Sequence, residues 1–101
     1  MQTPASFVLL KISYYIVMTP ETTKMLEEWR NSSFSPIEGV EISRDYLPGD
    51  DSSIELIWFI DYEKDGERKS KRYSVKNNAD DIDSLNIQID NVERNELIKI
   101  L

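Results

Sequence analysis

The chain contains neither cysteine nor histidine. Without cysteine there are no disulfides, no thiolate zinc sites and no cysteine nucleophile, which fits a reducing compartment such as the cytoplasm. The missing histidine excludes more: the usual general base, the commonest metal ligand, and both Ser-His and Cys-His dyads. Glycine is scarce, at three in 101 residues, and no Gly-x-Gly-x-x-Gly loop or P-loop is present to cradle phosphate. Long hydrophobic runs are also lacking. The most apolar stretch is Phe7 to Met18, well short of the roughly 20 residues a helix needs to cross a bilayer. No basic residue precedes it and no small-x-small cleavage site follows, so it is a poor match to a secretory signal. Cations are the minority charge, 12 Lys and Arg against 19 Asp and Glu, for a net charge of −7 and a pI near 4.5. That balance opposes both phosphate-driven nucleic-acid binding and attraction to an anionic membrane.

What is present describes a folded chain. Apolar residues at 40% and charged residues at 31% are globular values. The length suits one domain that buries roughly 60–68% of its unfolded surface. The strongest local signal is residues 53–76, two alternating runs separated by Asp65-Gly66. A tight type I′ turn needs positive φ at both central residues, which Asp-Gly supplies. A two-residue loop sets Lys64 against Glu67, Glu63 against Arg68, Phe59 against Arg72, Trp58 against Tyr73, Leu56 against Val75 and Glu55 against Lys76. One face then collects apolar pairs and the other collects opposite charges. A three-residue loop would oppose Glu63 to Glu67 and Trp58 to Arg72, so the two-residue register is expected.

Elsewhere, Phe7 to Met18 alternates at period two and reads as a buried strand. Met18-Thr19-Pro20-Glu21 would also serve as a start, which would make residues 1–17 a non-native or dispensable extension. Thr19-Pro20-Glu21 opens a helix to about residue 31, with Thr22, Met25, Leu26 and Trp29 on one side. Glu38 to Tyr46 alternates as a strand with Val40, Ile42 and Tyr46 inward, and residues 47–51 read as a loop. The tail admits two readings. Leu85, Ile87 and Ile89 alternate like a short strand, followed by a helix from about 91 to 100 opened by an Asp90–Glu93 capping box. Ile82, Leu85, Ile89 and Val92 also fit one long helix. We take the split reading as the expectation. The expected fold is α+β: an antiparallel β-meander of three to five strands with two helices packed on one face. Val40, Ile42, Leu56, Trp58, Ile60, Tyr73 and Val75 line that face, against Leu26, Trp29, Leu97 and Ile100.

Little in the sequence carries chemistry. Asp80, Asp81 and Asp83 form the densest carboxylate cluster and Asp50-Asp51 the second. Neither is followed by the glycine and distal glutamate of a calcium loop, so both read as capping and loop residues, with no metal or cofactor expected. No catalytic constellation stands out, and the chain reads as a non-enzyme. Charge is unevenly spread, because residues 63–76 carry six bases and three acids inside an acidic body. The basic candidates are Lys64, Arg68, Lys69, Lys71 and Arg72. The order helix, three strands, helix over residues 20–100 resembles the topology of double-stranded-RNA-binding domains, in element order only. That family places a lysine-rich motif at the start of its last helix. Asn77-Asn78-Ala79-Asp80-Asp81 stands there in this chain and would repel phosphate, so no binding residue carries over.

The leading expectation is a small acidic protein-binding module that docks on a basic protein partner, with no membrane role. Immunity proteins, antitoxin-like inhibitors and phage-encoded anti-defence proteins share this profile. Its acidic candidates are Glu41, Asp45, Asp50, Asp51, Asp80, Asp81 and Asp83. The alternative is nucleic-acid binding through the basic arm 64–72.

Overall fold

The computed structural model describes residues 19–32, 34–49 and 52–100. The expected first strand, Phe7 to Met18, lies outside the described residues. So do Asp50 and Asp51, and the proposed extension 1–17. Helix α1 runs Pro20–Arg30 and starts as its sequence dictates. Thr19 is the N-cap, its Oγ1 accepting from the Thr22 amide at 3.1 Å, and Pro20 fills the first turn where no amide hydrogen is needed. Thr22, Leu26 and Trp29 recur at helical spacing and are all buried, with Met25 packed beside them.

Three strands follow: β1 (Glu41–Pro48), β2 (Ser53–Lys64) and β3 (Glu67–Asn78), antiparallel in the order β1-β2-β3. The hairpin register is the expected one at every pair, from Lys64↔Glu67 through Trp58↔Tyr73 to Glu55↔Lys76. Asp65 and Gly66 have φ of 55° and 80°, as a type I′ turn requires. Strand β1 begins three residues later than expected. Val40 donates to the Ile37 carbonyl at 3.1 Å and Gly39 has a φ of 85°, so residues 37–40 form a turn before pairing starts. The strand also runs two residues further, to Pro48.

The tail corrects the split reading. Helix α2 (Ile82–Asn91) continues through a π-helical turn, Val92–Glu96, into α3 (Leu97–Ile100), and there is no strand at 85–89. Ile87 is 69% exposed while Leu85 and Ile89 are buried, so helical period governs this stretch. The N-cap is Asp81, whose Oδ1 accepts from the Asp83 and Ser84 amides at 3.1 Å each. Asp90 and Glu93 are mid-helix, and Asp90 pairs with Arg94 at 2.6 Å instead of opening a helix. The π turn has a packing cause. Val92 and Leu97 are five residues apart and both buried, a spacing that a regular α-helix turns away from one face. One extra residue in the turn brings Leu97 and Ile100 back over the sheet.

Helices and sheet enclose one apolar cluster on one side of the sheet. Val40, Ile42, Leu56, Trp58, Ile60, Leu26, Trp29 and Leu97 are buried as expected, with Tyr73, Val75 and Ile100 partly buried against them. Ile54, Ala79, Leu85, Ile89 and Val92 complete the cluster. Trp29 meets Trp58 edge to face, with centroids 5.5 Å apart.

The two sheet edges differ. Two amides of β1 that point outward are already engaged: Ile42 donates to the Phe34 carbonyl at 3.2 Å and Tyr46 to Asp45 Oδ1 at 2.8 Å. Pro48, at the end of that row, has no amide hydrogen to offer. Strand β3 has no such covering. The two-residue turn makes Lys64 and Glu67 a hydrogen-bonded pair. Counting from it, Arg68, Ser70, Arg72, Ser74 and Lys76 turn their backbone groups to the free side. None of the five has a partner there among the described residues.

Candidate functional site

The pleat sorts the charged side chains before any site is assembled. Residues on β2 and β3 that share a face with Trp58 and Tyr73 look toward the helices, and their neighbours look away. Lys64, Lys69 and Lys71 fall on the helix side, and Arg68 and Arg72 on the other. The five expected basic residues are all exposed, yet they do not form one patch. Two are also engaged. Lys71 Nζ donates to the Ile100 carbonyl at 2.9 Å and lies 5.4 Å from the Tyr62 ring centre. Arg72 Nη2 meets Glu55 Oε2 at 3.5 Å.

The acidic candidates are dispersed as well. Asp80, Asp81 and Asp83 sit beyond the end of β3, beside the Ser53 end of β2, whereas Glu41 pairs with Asp61 at the far end. Eight residues of β2 separate the two groups, about 26 Å of strand. Asp81 is used as a cap. The Ser84 amide and hydroxyl, with the Asp83 amide, hold its carboxyl below the ordinary aspartate value of 3.8. Asp45 accepts from the Tyr46 amide and lies 3.8 Å from Arg30, so it too is committed. Among the described residues no group of three or more acids is placed to hold a metal ion. No helix among them is long and apolar enough to cross a membrane.

Glu41 is different. Its Cα partner across the ladder is Asp61, so two carboxylates of like sign stand directly opposite on the face turned from the helices. Neither has an ion-pair or hydrogen-bond partner for its carboxylate among the described residues. They flank a cleft of about 250 Å³ lined by Phe34, Ser35, Glu41, Ile42, Ser43 and Asp61. Two carboxylates and two hydroxyls at this cleft suit the charged head of a lysine or arginine side chain.

Sequence reasoning missed a second cluster, centred on Glu93. Its Oε2 accepts from Arg44 Nε at 2.7 Å, Trp58 Nε1 at 2.9 Å and Trp29 Nε1 at 3.1 Å, and its Oε1 accepts from Arg44 Nη2 at 2.9 Å. Arg44 lies 4.5 Å from the Phe34 ring centre and 5.7 Å from that of Trp29. One carboxylate thus ties α1, β1, β2 and the π turn together. The side chains of Arg44 and Glu93 are 10% and 15% exposed, and no donor is left over for a ligand, so this cluster is architecture. Its signal was in the sequence. Arg44 alternates inward between Ile42 and Tyr46, and Glu93 lies four residues from both Ile89 and Leu97. Two core tryptophans also needed an acceptor for their N–H groups.

No protein-family model, curated protein or solved structure matches the chain.

Proposed function

We propose that the protein is a non-enzymatic binding module that docks a basic protein partner on its acidic surface, in the manner of small inhibitory or immunity-type proteins. The observation that carries this reading is the opposed, unpartnered pair Glu41 and Asp61 beside the cleft at the start of β1. Like charges placed directly across a ladder are unfavourable. A lysine or arginine from a partner seated between them removes that repulsion, so docking gains what folding leaves unused. The net charge of −7 extends the attraction outward, speeding encounter and making it sensitive to salt. The alternative, nucleic-acid binding by the arm 64–72, is weaker because its cations divide between two faces.

The test is capture from the source cell with immobilised protein, beside a Glu41→Gln, Asp61→Asn double variant. A partner held at low salt, released at high salt and bound about tenfold more weakly by the variant supports the proposal. No partner at low salt, or one that the variant holds equally well, overturns it.

A further inference from the structure

The free edge of β3 bears no relation to the Glu41–Asp61 cleft and carries the opposite charge. Over its twelve residues β3 has five bases (Arg68, Lys69, Lys71, Arg72, Lys76) and one acid, Glu67. Among the described residues its outward row of backbone groups is unpaired, and no proline or bulge interrupts it. Long open edges invite another strand. The β1 edge shows how this chain partly occupies one, through Phe34, Asp45 and Pro48, and among the described residues β3 has no counterpart.

We propose that the β3 edge is a second docking surface, taking an acidic extended segment of another protein as a fourth strand. Backbone hydrogen bonds to Arg68, Ser70, Arg72, Ser74 and Lys76 hold the segment in register. Its side chains alternate between faces, as any strand's do. Those on one face meet Arg68, Arg72 and Lys76, and those on the other meet Lys69 and Lys71. The division of the cations by the pleat, awkward for a phosphate backbone, is what a neighbouring strand with acids on both faces matches. A second copy of this chain is a poor occupant, because pairing β3 with β3 opposes bases to bases.

The probe is a fluorescent peptide of repeated Glu-Glu-Thr-Thr, which puts acids on both faces of an extended strand, followed by anisotropy and by amide hydrogen exchange on the full chain. Binding should slow exchange at the amides of Arg68, Ser70, Arg72, Ser74 and Lys76. Those of Glu67, Lys69, Lys71, Tyr73 and Val75, already bonded to β2, should not change. Ser70→Pro removes one outward amide hydrogen without altering charge, and is expected to weaken the peptide about tenfold. The same peptide N-methylated at every residue, which removes the donors of both its edges, should fail against the wild-type protein, which tests the backbone bonds without any variant. Neutralising Arg68, Arg72 and Lys76 to Gln should weaken binding and flatten its salt dependence. The proposal fails if the peptide does not bind, or if the N-methylated peptide or an oligothymidylate binds equally well, which would mark a plain polyanion surface. It also fails if the protein alone protects these amides as its concentration rises, which would mark self-pairing. Glu41 and Asp61 play no part in any of these readings, so the two proposals stand or fall separately.

Discussion

Glu93 on the helix side of the sheet and the pair Glu41–Asp61 on the side turned from the helices are the same chemical group under opposite conditions. Glu93 is largely removed from water and receives four hydrogen bonds, two from one guanidinium and one from each tryptophan. Glu41 and Asp61 face each other and receive none. In the first case, taking a charge out of water is offset only because every oxygen is matched by donors fixed on three other elements. In the second, the two like charges, exposed at Glu41 and half-exposed at Asp61, are screened by solvent, which lets the ladder tolerate them. A satisfied carboxylate holds a fold together. An unsatisfied one is available to something else.

The contrast can be broken at either end. Trp58→Ala should have the largest effect, a loss of about 5 kcal/mol in urea unfolding, because it removes a fully buried ring and one of the donors to Glu93. A loss under about 1 kcal/mol would mean that the covered face is not the core. Glu93→Gln comes next, at about 3 kcal/mol, since it leaves Arg44 without its counter-charge and sets an amide NH₂ among donors. Asp81, held by a cap but open to solvent, lies between the two extremes. Its folded pKa is depressed, so its contribution is present above the ordinary aspartate value and is lost as pH falls through the folded one. The melting temperature of Asp81→Asn should accordingly change less than that of the wild type below about pH 4. Smallest of all, and opposite in sign, Glu41→Gln should raise stability by a few tenths of a kcal/mol at low salt, about the worth of one cross-strand pair. A loss of stability there would show that Glu41 is structural after all.

How much of this was legible in the sequence depended on whether a signal was local. The hairpin could be read pair by pair, because Asp65-Gly66 fixes the turn and a slip of one residue would misplace every side chain. Helix α1 was equally plain, from its Thr-Pro cap and the spacing of Thr22, Leu26 and Trp29. The tail was not, because Leu85, Ile87 and Ile89 satisfy two periods at once. Tertiary packing chose the helical one and left Ile87 in water. Asp90–Glu93 resembled a cap for the same reason: the spacing that closes a capping box also recurs inside a helix. The Glu93 cluster depends on Trp29, Arg44 and Trp58, which lie between 35 and 64 residues away. No local window contains that information. Nor did the sequence foretell that the acids would separate, because only the ladder sets Glu41 opposite Asp61 and carries Asp80, Asp81 and Asp83 to the other end.

The occupied edge of β1 has a consequence for assembly. A ribbon that lengthens without limit needs two adhesive sides, one to receive a strand and one to offer the next. Here the β1 side is partly occupied by its own chain, through Phe34, Asp45 and Pro48. Whatever strand joins at β3, the sheet of this molecule extends more readily from that side than from β1, which disfavours an endless ribbon of identical copies.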